Sequence, residues 1–313
     1  MFHQYNLTGQ WEFRPNWLAE VGYVGSRGRN LLVVSNLGTG SSGFPGARVT
    51  LNHDTVTNIE YTGQSWYDAF QSKLEKRFTT GLSILSTYVW SHALDNAPGG
   101  FCTGGQGPNQ CGFSNPLRRE LEKGTSDFDV PHRFTFASVW ELPFGRGQHF
   151  GTNISRTADL VVGGWQANTD ITIQSGPPFS VFRNGKRVDI VQSGTTLCPL
   201  VPGETTRVNS KTFEGLTLCP ATTLVFAGVN GSTFGNLGRN VFRGDHQTVV
   251  NASLFKNIHA TETFTIQLRA QAYNLFNHVN GFRPNNDFSS ADFGIDKAEQ
   301  RRRQLEFGLR LVF

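Results

Sequence analysis

The 313 residues carry a formal charge of +4, with only 37% hydrophobic residues and a mean hydropathy of −0.32. No run approaches the roughly 20 apolar residues that a membrane-crossing helix needs, and no basic stripe is interleaved with stacking aromatics as nucleic-acid binding requires. Neither observation excludes a membrane β-barrel, in which only alternate residues meet lipid, and 35 glycines and 26 phenylalanines against one methionine point to an all-β chain.

The amino terminus, MFHQYNLTGQWEF, lacks the basic start, continuous apolar core and small-residue cleavage site of a signal peptide. It reads directly as a strand, about His3 to Phe13, in which Tyr5, Leu7, Gly9, Trp11 and Phe13 alternate with polar partners. A chain that opens in mid-strand is expected to be the carboxy-terminal piece of something longer. Arg14-Pro15-Asn16 turns into a second strand, about Trp17 to Gly25. A third, Trp66 to Phe78, sets Phe70, Leu74 and Phe78 against Gln71, Lys73, Glu75 and Arg77. Thr79-Thr80-Gly81 joins it to a fourth, Leu82 to Ala93.

The fifth strand, His132 to Leu142, carries Phe134, Phe136 and Trp140 on one face. Just before it, Ser126 to Arg133 packs two acids, a histidine and an arginine into a short space. An enzyme would use such a run as an acid/base pair or metal site. A barrel would use it to start a strand, with Pro131 first, Asp127 and Asp129 satisfying turn amides and Arg133 facing inward; the second reading is favoured. The sixth strand, Val161 to Ser175, sets Val161, Trp165, Ala167, Ile171 and Ile173 against Gln166, Asn168, Asp170 and Gln174. Ser175-Gly176-Pro177-Pro178-Phe179 follows and is read as a bend rather than a hairpin turn. A seventh strand is about Thr248 to Ile258, and an eighth, Phe264 to Asn274, carries Phe264, Ile266, Leu268 and Ala270 on one side. The ninth, Arg303 to Phe313, alternates Leu305, Phe307, Leu309, Leu311 and Phe313 with Gln304, Glu306, Gly308 and Arg310. A soluble β-sandwich could also end on such a strand.

The connections separate the two possibilities. Short turns follow the first, third and seventh strands, and a medium one, Pro143 to Leu160, follows the fifth. Long loops follow the second, fourth, sixth and eighth. Outer-membrane barrels keep short turns in the periplasm and long loops outside, whereas a sandwich has no reason to obey that parity. Aromatics collect near the short turns (Trp11, Phe13, Trp17, Phe78, Trp140, Trp165, Phe264, Phe313), as an interfacial girdle would. Cys102 and Cys111 fall in the loop after the fourth strand, Cys198 and Cys219 in the loop after the sixth. Neither pair has the close spacing of zinc ligands. Disulfides within each loop are expected, though four cysteines allow three pairings. His92, His132, His246, His259 and His278 share no ligand spacing, and the glycine-rich runs do not sit between a strand and a helix as a phosphate cradle does. No catalytic, metal or cofactor site is expected. Arg301-Arg302-Arg303 reads as a solvated loop end, with contact to anionic lipid phosphates as the sharper alternative.

Several separated runs also resemble one family: VGYVGSRGRNL, FQSKLEKRF, YVWSHALDNA, SDFDVPHRF, ELPFGRG, GGWQ, SGPPF, TFGNLGRNVFRG, SLFKNI, NLFNHVNGF and the terminal FGLRLVF, in this order. They resemble the carboxy-terminal barrel of the Oar-like TonB-dependent outer-membrane receptors, over almost the whole chain. The resemblance implies a transmembrane antiparallel β-barrel of 22 strands, of which this chain holds about the last nine to ten. It implies a plug domain in the lumen, a TonB box on the plug that couples to the inner-membrane TonB complex, and often a carboxypeptidase-regulatory-like domain before both; none of the three is expected in this stretch. The implied partners are outer-membrane lipid, the plug and first strands of the receptor, and the barrel-assembly machinery. That machinery would read Leu305, Phe307, Leu309, Leu311 and Phe313 as an assembly signal. The lumen face would comprise Gln71, Lys73, Glu75, Arg77, Gln166, Asn168, Asp170, Gln267, Arg269 and Gln271. The competing function is a non-transporting surface barrel, an adhesin or a structural protein, that binds through disulfide-stapled loops.

Overall fold

The computed structural model describes residues 1–36, 57–96, 122–183, 186–187, 189–190, 197–198, 206–208, 211–213, 217–218, 226–227, 237–259, 261, 264–281, 283–287, 290 and 302–313. Among these described residues are nine long strands: β1 (Phe2–Arg14), β2 (Trp17–Asn36), β3 (Thr57–Thr79), β4 (Leu82–Asp95), β5 (His132–Glu141), β6 (Trp165–Gln174), β7 (Gln247–His259), β8 (Thr265–Tyr273) and β9 (Gln304–Val312). They form one antiparallel meander in which each strand pairs with the next in sequence, and the two-residue strand Gly124–Thr125 pairs with β4. Among the described residues one helix is present, α1 (Arg156–Val162), in the connection between β5 and β6.

Alternation in the sequence becomes a two-faced sheet because the register keeps like with like. Leu305 pairs with Ala272, Ala272 with Ala252, Ala252 with Thr169 and Thr169 with Ser138. The same ladder continues through Ile84 and Lys76 to Trp17. One face thus gathers most of the large apolar side chains of the nine strands, and many are exposed: Leu7 at 79%, Trp11 at 69% and Phe307 at 78%. In water such a continuous apolar surface is unfavourable by about 25 cal/mol per Å².

The same ladder fixes the strand tilt. It starts at Leu305, near the long-connection end of β9, and finishes at Trp17, the first residue of β2 beside a short turn. With the short turns level, the slip is about 26 Å across seven strand spacings, a tilt of about 40°. Closed barrels require tilts of about 35–45°. The sheet has barrel geometry, but it is not closed: β1 and β9 are the two ends of the strand order. Every residue of both strands is exposed.

Three expectations need correction. β2 runs past Gly25 to Asn36, and β3 begins at Thr57 rather than Trp66, so their hairpin extends well beyond its neighbours. Register shifts around Arg29, Leu31 and Leu32, with Asn30 at φ 55°, interrupt the alternation that marks the lower part. The sixth strand begins at Trp165, not Val161, because Val161 is helical. Ser155 caps α1 by accepting the Ala158 N–H at 3.2 Å, and Gly164 leaves it at φ 68°, a conformation that favours glycine. The remaining strands agree with the sequence reading to within one or two residues at each end. Ser175–Phe179 is a bend, as expected: β6 pairs directly with β7, while Pro178–Phe179 pairs with Phe242–Arg243.

Candidate functional site

Among the described residues, Lys76 and Lys256 are buried at one end of the sheet, while most of the other buried ones gather on its polar face, at the opposite end, where the long connections leave it. Val181, Phe179, Phe242 and Leu237 form a small apolar cluster there, with Ser126, Asp129 and Glu122 nearly inaccessible beside them. This is where the separated motifs of the sequence meet. Asp129 accepts the Ala93 N–H at 2.6 Å and, fully buried, pairs with the Arg243 guanidinium. Arg243 also reaches the carbonyls of Asp129 and Gly176, at 3.2 and 3.3 Å. Arg239 donates to Asp95 at 2.5 Å and to the Thr125 carbonyl at 3.1 Å.

Between the two arginines, Asn240 donates to Asp127 at 2.6 Å and to the Thr125 carbonyl at 2.8 Å, while its own N–H goes to Ser180 at 2.7 Å. Arg283 donates to the Asp127 carbonyl at 2.6 Å, and Asn286 to that of Ser180. Burial pushes the Arg283 guanidinium below its usual range, with the Asp127 charge pulling the other way. Buried charges of this kind persist when they are paired and hydrogen-bonded. The network ties together the segments before β5, after β6, before β7 and after β8. The acids of the Ser126–Arg133 run are therefore engaged in holding connections.

Below the network, the polar face is a continuous wall. Gln71, Lys73, Glu75, Arg77, Gln166, Asn168, Asp170, Gln267, Arg269 and Gln271 all fall on it by register. Amide side chains link across strands: Asn168 to Ser253 at 3.1 Å, Gln174 to Gln247 at 2.7 Å, and Gln267 to Asn257 at 2.7 Å. Lys73 pairs with Glu75 at 2.8 Å, and the Arg269 guanidinium lies 5.1 Å over the Phe255 ring. A concavity of about 300 Å³ runs across β4 to β8, with Leu85, Ala137 and Val139 near one side and Asn168, Asp170, Asn251 and Tyr273 near the other. A second, of about 550 Å³, lies between β7 and β9 beneath Asn280. Such a surface can hydrogen-bond water, a polar solute or a second protein layer.

The alternating residues of β9, Leu305, Phe307, Leu309 and Leu311, lie on the apolar face, and the Phe313 ring stacks on Phe264 at 5.4 Å. Cys102, Cys111 and Cys219 lie outside the described residues, and Cys198 is described in its backbone alone. Sequence reading missed two lysines on the apolar face. Lys76 donates to the Leu82 carbonyl at 2.6 Å, and Lys256 to that of Gly163 beneath Trp165. Each bends its charge toward a carbonyl at the end of the sheet where the shorter connections lie, as a cation in hydrocarbon must. A break in the apolar alternation (Leu254, Lys256, Ile258) was the available signal.

An antiparallel meander with barrel tilt, an exposed apolar face, a polar concave face and turns of alternating length defines the outer-membrane barrel class. The chain belongs to the outer membrane beta barrel domain family, which matches residues 1–306. It is therefore an outer-membrane protein, with its apolar face toward lipid, its polar face toward the lumen, short turns in the periplasm and long connections outside. Among solved structures, the outer membrane transporter YddB from Escherichia coli aligns with 99% of this chain at 9% identity and a TM-score of 0.46. The alignment covers 32% of that chain, so this sequence spans about a third of its length. No curated protein sequence matches the chain.

Proposed function

We propose that the chain forms the carboxy-terminal wall of an Oar-like TonB-dependent receptor, a 22-stranded barrel that moves a substrate across the outer membrane. The direction of the two sheet edges carries this reading. An antiparallel meander of nine strands begins and ends on strands that run the same way. Joining β1 directly to β9 would make a parallel seam and an odd barrel, whereas bacterial single-chain barrels have even strand numbers. A second copy inserted in the same orientation offers edges of the same direction and cannot supply an antiparallel seam. An odd number of further strands can, and the difference between 22 and nine is odd. Leaving either edge open in lipid would strand N–H and C=O groups at several kcal/mol each.

In this reading the amide-lined wall faces a plug domain and passing substrate, and the outer connections make the first contact with ligand. A TonB box on the plug couples transport to the inner membrane, and the barrel-assembly machinery reads β9. The test is retention of the soluble periplasmic domain of TonB by the full-length protein purified from outer membranes. Retention that disappears on deleting the TonB box is expected. A full-length protein that retains no TonB would instead be the surface adhesin or structural barrel.

A further inference from the structure

The lipid face of β1 to β3 ends, at its outer border, in a built cluster of aromatic and cationic side chains. Arg27 lies ten residues along β2 from Trp17, the periplasmic girdle residue. At the tilt of the sheet this is a height of about 26 Å, close to the roughly 25 Å of an outer-membrane apolar band. The rung of Arg27 is therefore where acyl chains give way to headgroups.

The cluster is held in one arrangement. The Tyr5 and Tyr23 rings stack at 6.1 Å, and Tyr5 lies over Gly25, where an added Cβ would come within 2.3 Å of the ring. Both hydroxyls donate to Asp68 Oδ1, at 3.1 and 2.6 Å. Arg27 donates to both Asp68 oxygens, at 3.0 and 2.8 Å, and lies 5.5 Å from the Tyr5 centroid. Trp66 is the cross-strand neighbour of Arg27, and the Lys123 ammonium sits 4.5 Å over its indole. Arg29, two residues beyond Arg27 on the same strand, is exposed, as is Lys123. Asp68 offsets the charge of Arg27 and fixes both tyrosines, which leaves Arg29 and Lys123 as exposed cations above an aromatic ledge.

We propose that this ledge seats the phosphate-bearing headgroup of an outer-leaflet lipid. Arg29 and Lys123 donate to the phosphates, and Trp66, Tyr5 and Tyr23 lie against the upper acyl chains. The chemistry is charge-assisted hydrogen bonding from cations to phosphate oxygens at a water-poor interface. Aromatic rings with polar tips are the side chains suited to that depth. Position supplies the occupant, since the cluster faces outward from the barrel wall and membrane lipid is what surrounds that wall.

Native mass spectrometry of the detergent-solubilised protein, titrated with a diphosphorylated glycolipid and with its dephosphorylated form, tests the proposal. The phosphorylated lipid should bind about tenfold more tightly, and Arg29→Gln with Lys123→Gln should remove about that factor. Lys123→Gln alone, on an exposed side chain that leaves the tyrosine–Asp68 array intact, should weaken binding several-fold. Arg146→Gln with Arg156→Gln, on the periplasmic connection, should leave it unchanged. Equal binding of the two lipids, wild-type affinity in both Lys123→Gln proteins, or an equal loss in the periplasmic control would overturn the proposal. Displacement of the lipid by millimolar inorganic phosphate would overturn it too, because it would mark a free-anion site.

Discussion

Asp129 carries more of the outer mouth than its place in the sequence suggests. Its side chain is fully buried, accepts a β4 amide, and pairs with an arginine that lies 114 residues further along the chain. Removing one partner of a fully buried pair costs about 3–5 kcal/mol, whereas replacing both with apolar groups costs far less. The cost here is smaller, because the Arg243 side chain is 30% exposed and keeps two carbonyl partners. Asp129→Ala is expected to lower the urea midpoint of the micelle-embedded protein and to speed proteolysis of the outer connections. Asp129→Leu combined with Arg243→Met should recover much of the loss; a double variant as unstable as the sum of its parts would refute the pairing. The sequence showed SDFDVPHRF and TFGNLGRNVFRG as separate runs, and it showed that the first starts a strand. It could not show that they meet, since nothing local in either run encodes a partner so distant.

At the scale of elements, the strands were legible wherever lipid imposes a period of two. All nine have at least one end within two residues of its predicted position, six have both, and the register places every predicted lumen residue on one face. Legibility failed where lipid no longer imposes the pattern. The upper parts of β2 and β3 pair through bulges beyond the membrane, and α1 owes its form to a capping serine and a glycine stop rather than to amphipathic periodicity. For β9, an assembly role is proposed. If its alternating face and terminal ring guide insertion, deleting Phe313 or changing it to Glu should reduce the outer-membrane yield of the full-length protein several-fold. Unchanged yield would separate the strand from assembly. The outer connections are expected to be stapled internally, so non-reducing peptide mapping should recover Cys102–Cys111 and Cys198–Cys219; free thiols or links between connections would remove that proposal.

For the whole molecule, three properties form one account: an apolar face turned outward, a strand tilt of about 40° set by the register slip, and edges that run in the same direction. The first was readable from alternation. The tilt was not, because the slip between neighbours depends on how each pair of strands aligns. The edge parity followed from counting strands correctly, which depended on reading Ser175–Phe179 as a bend. Most of the buried residues among those described therefore belong to the outer mouth, while the wall turns most of its large apolar side chains to lipid.

The orientation of the wall is the central claim, and β8 tests it most directly because it has a neighbour on each side. Spin labels placed singly at Ile266, Leu268 and Ala270, and at Gln267, Arg269 and Gln271, can be compared in the bilayer-reconstituted protein by collision with oxygen and with a water-soluble nickel chelate. The account predicts a ratio of oxygen to nickel accessibility that alternates with a period of two and is high at 266, 268 and 270. A ratio that does not alternate, or one that peaks at 267, 269 and 271, would contradict it.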